Sequence, residues 1–507
     1  MQIPNDKEVL LLFPKIVSLD EDLNIPLNLF NLGTYLQSVG YRVAILNQYV
    51  EKEVFDEAVL RKLDDAFCVG ITCMTAQLPD ATRISRLIRE RKPDIPIVYG
   101  GAHATLFPEQ TARHPLVDYI VVGEGELAFQ QLLERIEAGR DAEDVGGVGF
   151  VREDGRFVLN KDKESFDYKR MPLFDTSLLS DKMRESIPHW RFPIQSSRGC
   201  PYKCRFCINT CMPENRKWRA WDGKRTADEV EHILKLGAKL IYFYDEIFFQ
   251  SKPRIEEFVA EIEKRGLSFE WQATTRADAI SERRMNTDLL KRLRKIGFVL
   301  AAIGAESGSP HVLDLIQKQI SPDDLVRAAK MLNDAGITGI FSFLIGVPGE
   351  TREDIRQTVE IMRHLSRLCP SGRFLGPQLF RPYPGSELYE ECVKAGWQEP
   401  ATIEEWCARM ERELVHTVPG DLPWIKDKKL VTIVWFYSVF LSAPVGRMVK
   451  LFRQYCDEYK KSALFKLAGT FGVLVFSMMG RLRYALNFYS FPIEVALFKK
   501  YRLPLSS

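Results

Sequence analysis

The run Ser197-Arg198-Gly199-Cys200-Pro201-Tyr202-Lys203-Cys204-Arg205-Phe206-Cys207 sets three cysteines at the spacing C-x3-C-x2-C. Three thiolates on one tight loop are one short of the four Cys ligands that an iron–sulfur cluster normally takes. A four-iron cluster held this way keeps one iron open, and an open coordination position is where a metal meets its substrate. Two plainer readings compete. Cysteines are often buried for packing alone, and a zinc knuckle also uses closely spaced thiols. Zinc sites, however, pair such ligands with a second pair elsewhere, and this sequence offers none. Cys211, four residues past Cys207, would close the open iron and make an electron-transfer cluster instead. That reading leaves the polar residues described next without a role.

The cysteine loop must be held by a scaffold. From about 192 to 385 the sequence alternates short apolar runs with amphipathic stretches. Strands are expected at 193–196, 240–244, 269–273, 299–303, 339–345 and 374–380, with helices between them. Six such units describe a partial (β/α)6 barrel, and sites in parallel barrels gather at the strand C-termini. The cysteine loop follows the first strand. Later strands end in Asp245-Glu246, in Arg276, in Glu306-Ser307, in Gly346-Val347-Pro348-Gly349-Glu350 and in Arg381 to Gly385. Carboxylates suit an ammonium and ribose hydroxyls, and an arginine fork suits a carboxylate. Singly, each residue reads as a cap or a surface ion pair. Converging on one cluster loop, they read as a site for an amino-acid-like nucleoside.

The first 140 residues form another αβ series. Strands are expected at 8–13, 42–46, 66–71, 95–99 and 119–122, with helices at 27–39 and 79–91. Short apolar strands separated by helices give a parallel, doubly wound (Rossmann-like) sheet, with ligands at the strand carboxyl ends. Those ends read Thr72-Cys73-Met74-Thr75, Gly100-Gly101-Ala102-His103 and Gly123-Glu124-Gly125-Glu126. Glycines there let backbone approach a ligand closely, which points to a cofactor crevice. The expected organisation is therefore α/β: a sheet domain at 1–140, a linker at 141–190 with a hairpin around Asp154-Gly155, a barrel at 191–385 and a mostly helical region at 386–507.

With Phe206 ahead of its third cysteine, the loop resembles the signature of the radical S-adenosylmethionine (SAM) enzymes. The resemblance implies a 4Fe-4S cluster on Cys200, Cys204 and Cys207, whose open iron chelates SAM and whose electron cleaves it to a 5′-deoxyadenosyl radical. It places Phe206 and Gly346 on the adenine side, Asp245 and Glu246 at the SAM ammonium, Arg276 at its carboxylate, and Glu306 at the ribose, with Ser307 in the same set. Asp245-Glu246 departs from the family's more frequent Gly-Gly-Glu, so the resemblance does not divide the two roles. The Gly100–Thr105 and Asp118–Glu126 runs resemble the cobalamin-binding domain that precedes the barrel in many of these enzymes. Many cobalamin domains carry Asp-x-His-x-x-Gly after the first strand; here Phe13-Pro-Lys-Ile-Val-Ser-Leu-Asp20 contains no His. A corrinoid would bind without a protein His ligand, along Thr72 to Thr75, Gly100, Gly101, His103 and Gly123 to Glu126. For His103 the plainer reading is a loop histidine satisfied by backbone. The pair of domains implies a methyltransferase of the cobalamin-dependent radical SAM class acting on an unactivated carbon. The same domains also occur in an oxidative cyclase type without methyl transfer, and a non-catalytic cobalamin or redox sensor is a third reading.

Bulk properties set outer limits. The net charge of +2 argues against a nucleic-acid binder, and ten scattered cysteines suit a reducing cytoplasm. From Trp424 onward, however, 14 Lys and Arg stand against 4 Asp and Glu. The same region carries apolar runs at 431–441 and 467–479, each too short to span a bilayer. Basic, apolar helices lie at interfaces. The expected partners are a lipophilic or anionic small-molecule substrate, a reductant such as flavodoxin or ferredoxin, and a membrane surface touched peripherally. The apolar runs read equally as buried helices of a C-terminal domain. Cys392, Cys407 and Cys456 read as packing residues.

Overall fold

The computed structural model describes residues 8–16, 26–189, 191–416 and 422–438, and parts of 445–488. Most of the His-free loop after Phe13 and the end of the 431–441 run lie outside the described residues.

The N-terminal sheet has seven strands: β1 (Glu8–Phe13), β2 (Arg42–Asn47), β3 (Ala66–Thr72), β4 (Ile97–Gly100), β5 (Tyr119–Val121), β6 (Val148–Val151) and β7 (Phe157–Leu159). Their order is 2-1-3-4-5-6-7. The first five run parallel, and β6 and β7 join antiparallel as the hairpin around Asp154-Gly155. All six residues of β1 are buried, as a strand covered by helices on both faces requires. Strand order reverses between β1 and β3, and a doubly wound sheet opens its ligand crevice at that switch point.

The second sheet is parallel and six-stranded. It is built from β8 (Arg191–Ile194), β11 (Leu240–Phe243), β12 (Glu270–Thr275), β13 (Phe298–Glu306), β14 (Thr338–Ile345) and β15 (Arg373–Leu379), in the order 15-14-13-12-11-8. Among the described residues β8 and β15 do not pair, so the barrel stays open. Between β8 and β11 lies a small antiparallel ribbon, β9 (Ser197–Arg198) with β10 (Arg219–Ala220). The cysteine loop is the connection between its two strands.

Residues 160–180 are a packed joint. Phe174 packs against Phe30 of the first helix at 5.3 Å and edge-on against Phe192 of β8 at 5.4 Å, so one hydrophobic core runs through both sheets. The C-terminal region also serves both. The helix Lys428–Phe436 packs with Trp424 and Ile425 against Val347 and Phe380 of the barrel. Ile403, Trp406 and Met410 of the helix Ile403–His416 instead join the core of the N-terminal sheet. The run from 467 is longer than its uncharged stretch: the helix spans Ala463–Ala485 and continues through Arg481 and Arg483. Its part Phe465–Ala485 is long and apolar enough to cross a membrane by length and composition, and little of it is buried. The spacing of charges, not helix breakers, made the run look short.

Candidate active site

The ribbon β9–β10 closes the base of the cysteine loop. Gly199 sits at φ +84°, where a Cβ would strike the Lys217 carbonyl, so only glycine admits this close return of the chain. The Cys200 amide donates to Asn215 O (2.7 Å) and Cys207 N to Cys204 O (3.1 Å). Two cations press on the loop's aromatic residues. The Arg276 guanidinium lies 3.6 Å from the Tyr202 ring centre, and the Lys318 ammonium 5.8 Å from that of Phe206. Among the described residues no three His, Cys, Asp or Glu side chains converge as they would on a single ion. Ligands to separate irons of one cluster have no need to converge. Thiols on one loop, with a buried ammonium in their electrostatic reach, fit an anionic cluster and would hold it through Cys200, Cys204 and Cys207.

The strand-end residues divide by what already engages them. The Asp245 carboxylate, 2% exposed, accepts from Ser196 N, Ser196 Oγ and Ser197 Oγ at 2.6–2.7 Å. Burial raises its pKa, against the pull of Arg254 and both serines. Asp245 thus ties β11 to the chain entering the cysteine loop. Glu246 accepts from Gly199 N at 3.2 Å, and it lines the crevice described below. Burial, and the charge of Asp245, raise its pKa. Arg276 donates to Asp278 (2.8 Å), Lys318 O (2.7 Å) and Gln319 O (3.1 Å), so much of its fork serves the loop 316–320. Ser307 meets Thr358 Oγ1 at 2.9 Å inside the core. Gly346, at φ +79°, accepts from Trp424 Nε1 (2.7 Å) and donates to Glu350 (2.5 Å).

Lys318 has no signature in the sequence, yet it forms a buried 2.7 Å ion pair with Glu306. Burial alone would lower its pKa; Glu306 and Cys204 hold it above the ordinary lysine value. Glu306, Gln317 and Gln319 have φ of 61°, 51° and 55°. Among the described residues only Lys52 joins them as a non-glycine residue at positive φ. Backbone strain of this kind gathers at ligand sites.

Between the two sheets lies a crevice of about 1050 Å³, its open mouth included. Thr72, Gly100, Gly101 and the run Gly123–Glu126 line one wall; Gln195, Arg198, Met212, Asn215 and Glu246 line the other. A Cβ added at Gly100 or Gly125 would meet nothing nearer than 3.9 or 3.8 Å. Bare backbone therefore faces open space that any side chain would narrow, as a bulky macrocycle requires. Cys73, Met74, Thr75 and His103 do not line this space. Cys73 is in the sheet's core and Met74 is 40% exposed. His103 is fully buried, hydrogen-bonded to Thr75 Oγ1 (3.1 Å) and beside Phe107 and Trp406. Burial lowers its pKa to about 3, so it is a neutral packing residue.

Fold, loop and crevice together define a radical SAM barrel behind a corrinoid-type sheet domain. The chain matches the radical SAM superfamily over residues 194–362 and the B12 binding domain over 20–133, and it belongs to the radical SAM enzymes that carry a cobalamin-binding domain. Its cofactors are accordingly a 4Fe-4S cluster, SAM and cobalamin. An uncharacterized methyltransferase of Pyrococcus horikoshii is 29% identical over 75% of this chain and 82% of its own length. The anaerobic magnesium-protoporphyrin IX monomethyl ester cyclase of Rubrivivax gelatinosus is 27% identical over 71% of this chain, which spans 65% of that relative. In fold, the cobalamin-dependent SAM radical enzyme OxsB, solved with aqua-cobalamin bound, superposes with a TM-score of 0.69 at 18% identity, over 98% of this chain and 75% of that one.

Proposed function

We propose that this enzyme transfers a methyl group to an unactivated carbon of a lipophilic or anionic small molecule. One observation carries the reading: Glu246, Arg198 and Asn215 from the cluster side and Gly101 and Glu124 from the sheet domain face the same crevice. When bound, the cluster and SAM supply a hydrogen-abstracting radical and the corrinoid supplies a methyl group. The chain's own work is placement and exclusion of water. Cys200, Cys204 and Cys207 hold the cluster. Glu246, freer than Asp245, takes the SAM ammonium. Arg276 holds Tyr202 and the loop at 316–320, leaving a smaller part of its fork for the carboxylate. Lys318 orients Glu306 toward the ribose. Phe206 and Gly346 bound the adenine side, and Ser307 supports that edge from the core. Thr72, Gly100, Gly101 and Gly123 to Glu126 cradle the corrinoid. Segments 1–140, 191–385 and 386–507 serve as corrinoid domain, radical barrel and substrate-shaping region, with 141–190 as their joint.

Phe471, Met478 and Leu482 on the helix Ala463–Ala485 are 68%, 68% and 60% exposed, and its neighbourhood is basic. This supports a cytoplasmic enzyme that draws substrate from a membrane surface, with electrons from a flavodoxin or ferredoxin. Sedimentation with anionic vesicles should carry the full chain down; a chain left wholly in the supernatant would sink the membrane contact.

Reconstituted enzyme with SAM, reductant, cobalamin and substrate should release both 5′-deoxyadenosine and S-adenosylhomocysteine. Deoxyadenosine alone would point to cyclase chemistry like that of the Rubrivivax relative. Neither product from a cluster-loaded enzyme would overturn both readings.

A further inference from the structure

The cysteine loop is, mechanically, a long hairpin loop whose stem is only two residues on each side. In that stem Arg198 and Arg219 sit directly opposite each other, an arrangement that repels unless something neutralises it. The neutralising groups come from the other domain. Arg219 grips Glu124 with two bonds of 2.6 and 2.8 Å. Arg198 pairs with Glu126 at 2.7 Å and with Glu124 at 3.5 Å, while its guanidinium lies over the Tyr168 ring at 4.5 Å. A third pair completes the set: Lys163 bonds Glu214 of the cysteine loop at 3.2 Å and the Val122 carbonyl at 2.6 Å. A Cβ at Gly123 would meet Glu214 Oε1 at 2.5 Å, so this glycine also makes room for the contact. Three cations and three carboxylates thus balance, and burial of Glu124 is outweighed by Arg219 and Arg198 in keeping its carboxylate ionised.

Buried ion pairs of this kind add little net stability compared with apolar packing, whereas losing one partner is costly. Their use is to fix geometry. We propose that this network is an interdomain clasp, and that Arg198, with Arg219, Glu124 and Glu126, is a positioning group that sets the cluster loop at a fixed place relative to the wall of the corrinoid crevice. Arg198 stands two residues before Cys200, and Glu124 and Glu126 lie on the loop that lines the crevice. A shift of that loop therefore reaches the cluster through only two residues, Arg198 and Gly199. The spacing of the two sites follows from this clasp, and its second readout below rests on the corrinoid reading given above.

The test uses the full-length, cluster-reconstituted protein and hydrogen exchange. Glu126→Gln lies in one domain; the readout is the amides of residues 199–218 in the other. Their exchange should quicken roughly tenfold, with strands β11 to β14 unchanged. Arg198→Lys, which keeps the charge and loses the fork, should give a smaller change in the same loop. Unchanged exchange at 199–218 in both variants would overturn the clasp, and so would a rise spread evenly over the barrel. With hydroxocobalamin added and both centres reduced to paramagnetic states, the magnetic coupling between cluster and cobalt should be well defined in the natural protein and broadened in Glu126→Gln. Coupling identical in the two would also overturn it. A natural protein that loads the cluster but takes up no corrinoid would defeat the corrinoid reading, while the exchange experiment would still decide the clasp.

Discussion

The barrel's strand ends and the sheet-domain wall of the crevice are built in different ways. At the barrel's strand ends, polar side chains are plentiful and most are already engaged: Asp245 by two serines, Arg276 by Asp278 and two carbonyls, Glu306 by Lys318. On the sheet-domain wall of the crevice, Gly100 and Gly125 offer bare backbone to open space, while the missing side chain of Gly123 leaves room for Glu214. The first region suits a small ligand that must be oriented at each end. The second suits a large, flat one that needs clearance.

The largest effect should come from the barrel's cluster ligands. Cys204→Ala should take SAM cleavage to background and lower bound iron, measured by deoxyadenosine release and iron content. Retained cleavage would refute the cluster assignment and with it the contrast between the two regions. Next, the acidic pair should split. Asp245→Asn leaves Arg254 short of its buried counter-charge and should cost about 3–5 kcal/mol of stability. Glu246→Gln should leave the melting temperature nearly unchanged and weaken SAM binding by roughly tenfold, as loss of one charge-assisted hydrogen bond does. Equal melting losses in both variants would erase the division of roles.

The smallest effect concerns a barrel-side carboxyl that is not fully engaged. Glu350 Oε1 is buried without a partner, and burial raises the pKa from 4.5 to about 8. Folded protein then holds a proton that unfolded chain has already released above pH 4.5. Stability should fall as pH rises through that window and level off above about 8. Glu350→Gln should flatten this slope and gain on the order of 1–3 kcal/mol near neutrality. Thermal melts of both proteins from pH 5.5 to 8.5 would show it; parallel profiles would place the carboxyl in an ordinary environment.

Much of the barrel's site was legible in the sequence, because the three thiols fall within one short loop and the strand ends follow a regular αβ period. The strand-end glycines were legible for the same reason. Lys318 was not: the residues that turn it inward, Gln317 and Gln319, adopt positive φ without the Gly or Asn that would announce a turn. Nor was the arginine ribbon, since two-residue strands have no periodicity, and the carboxylates that Arg198 and Arg219 meet lie 72 and 95 residues away. His103 illustrates the reverse case. Its place after a strand-end Gly-Gly suggested ligand contact, but the helix Ile403–His416, distant in sequence, covers it with Trp406.

That covering helix, with the joint at Phe174, bears on how such chains can be recombined. A corrinoid domain exchanged between relatives at a boundary near residue 140 would leave Phe30 without Phe174 and bring a foreign sheet under Ile403, Trp406 and Met410. The exchangeable unit is discontinuous in sequence: sheet, joint and the far C-terminal helix travel together or not at all.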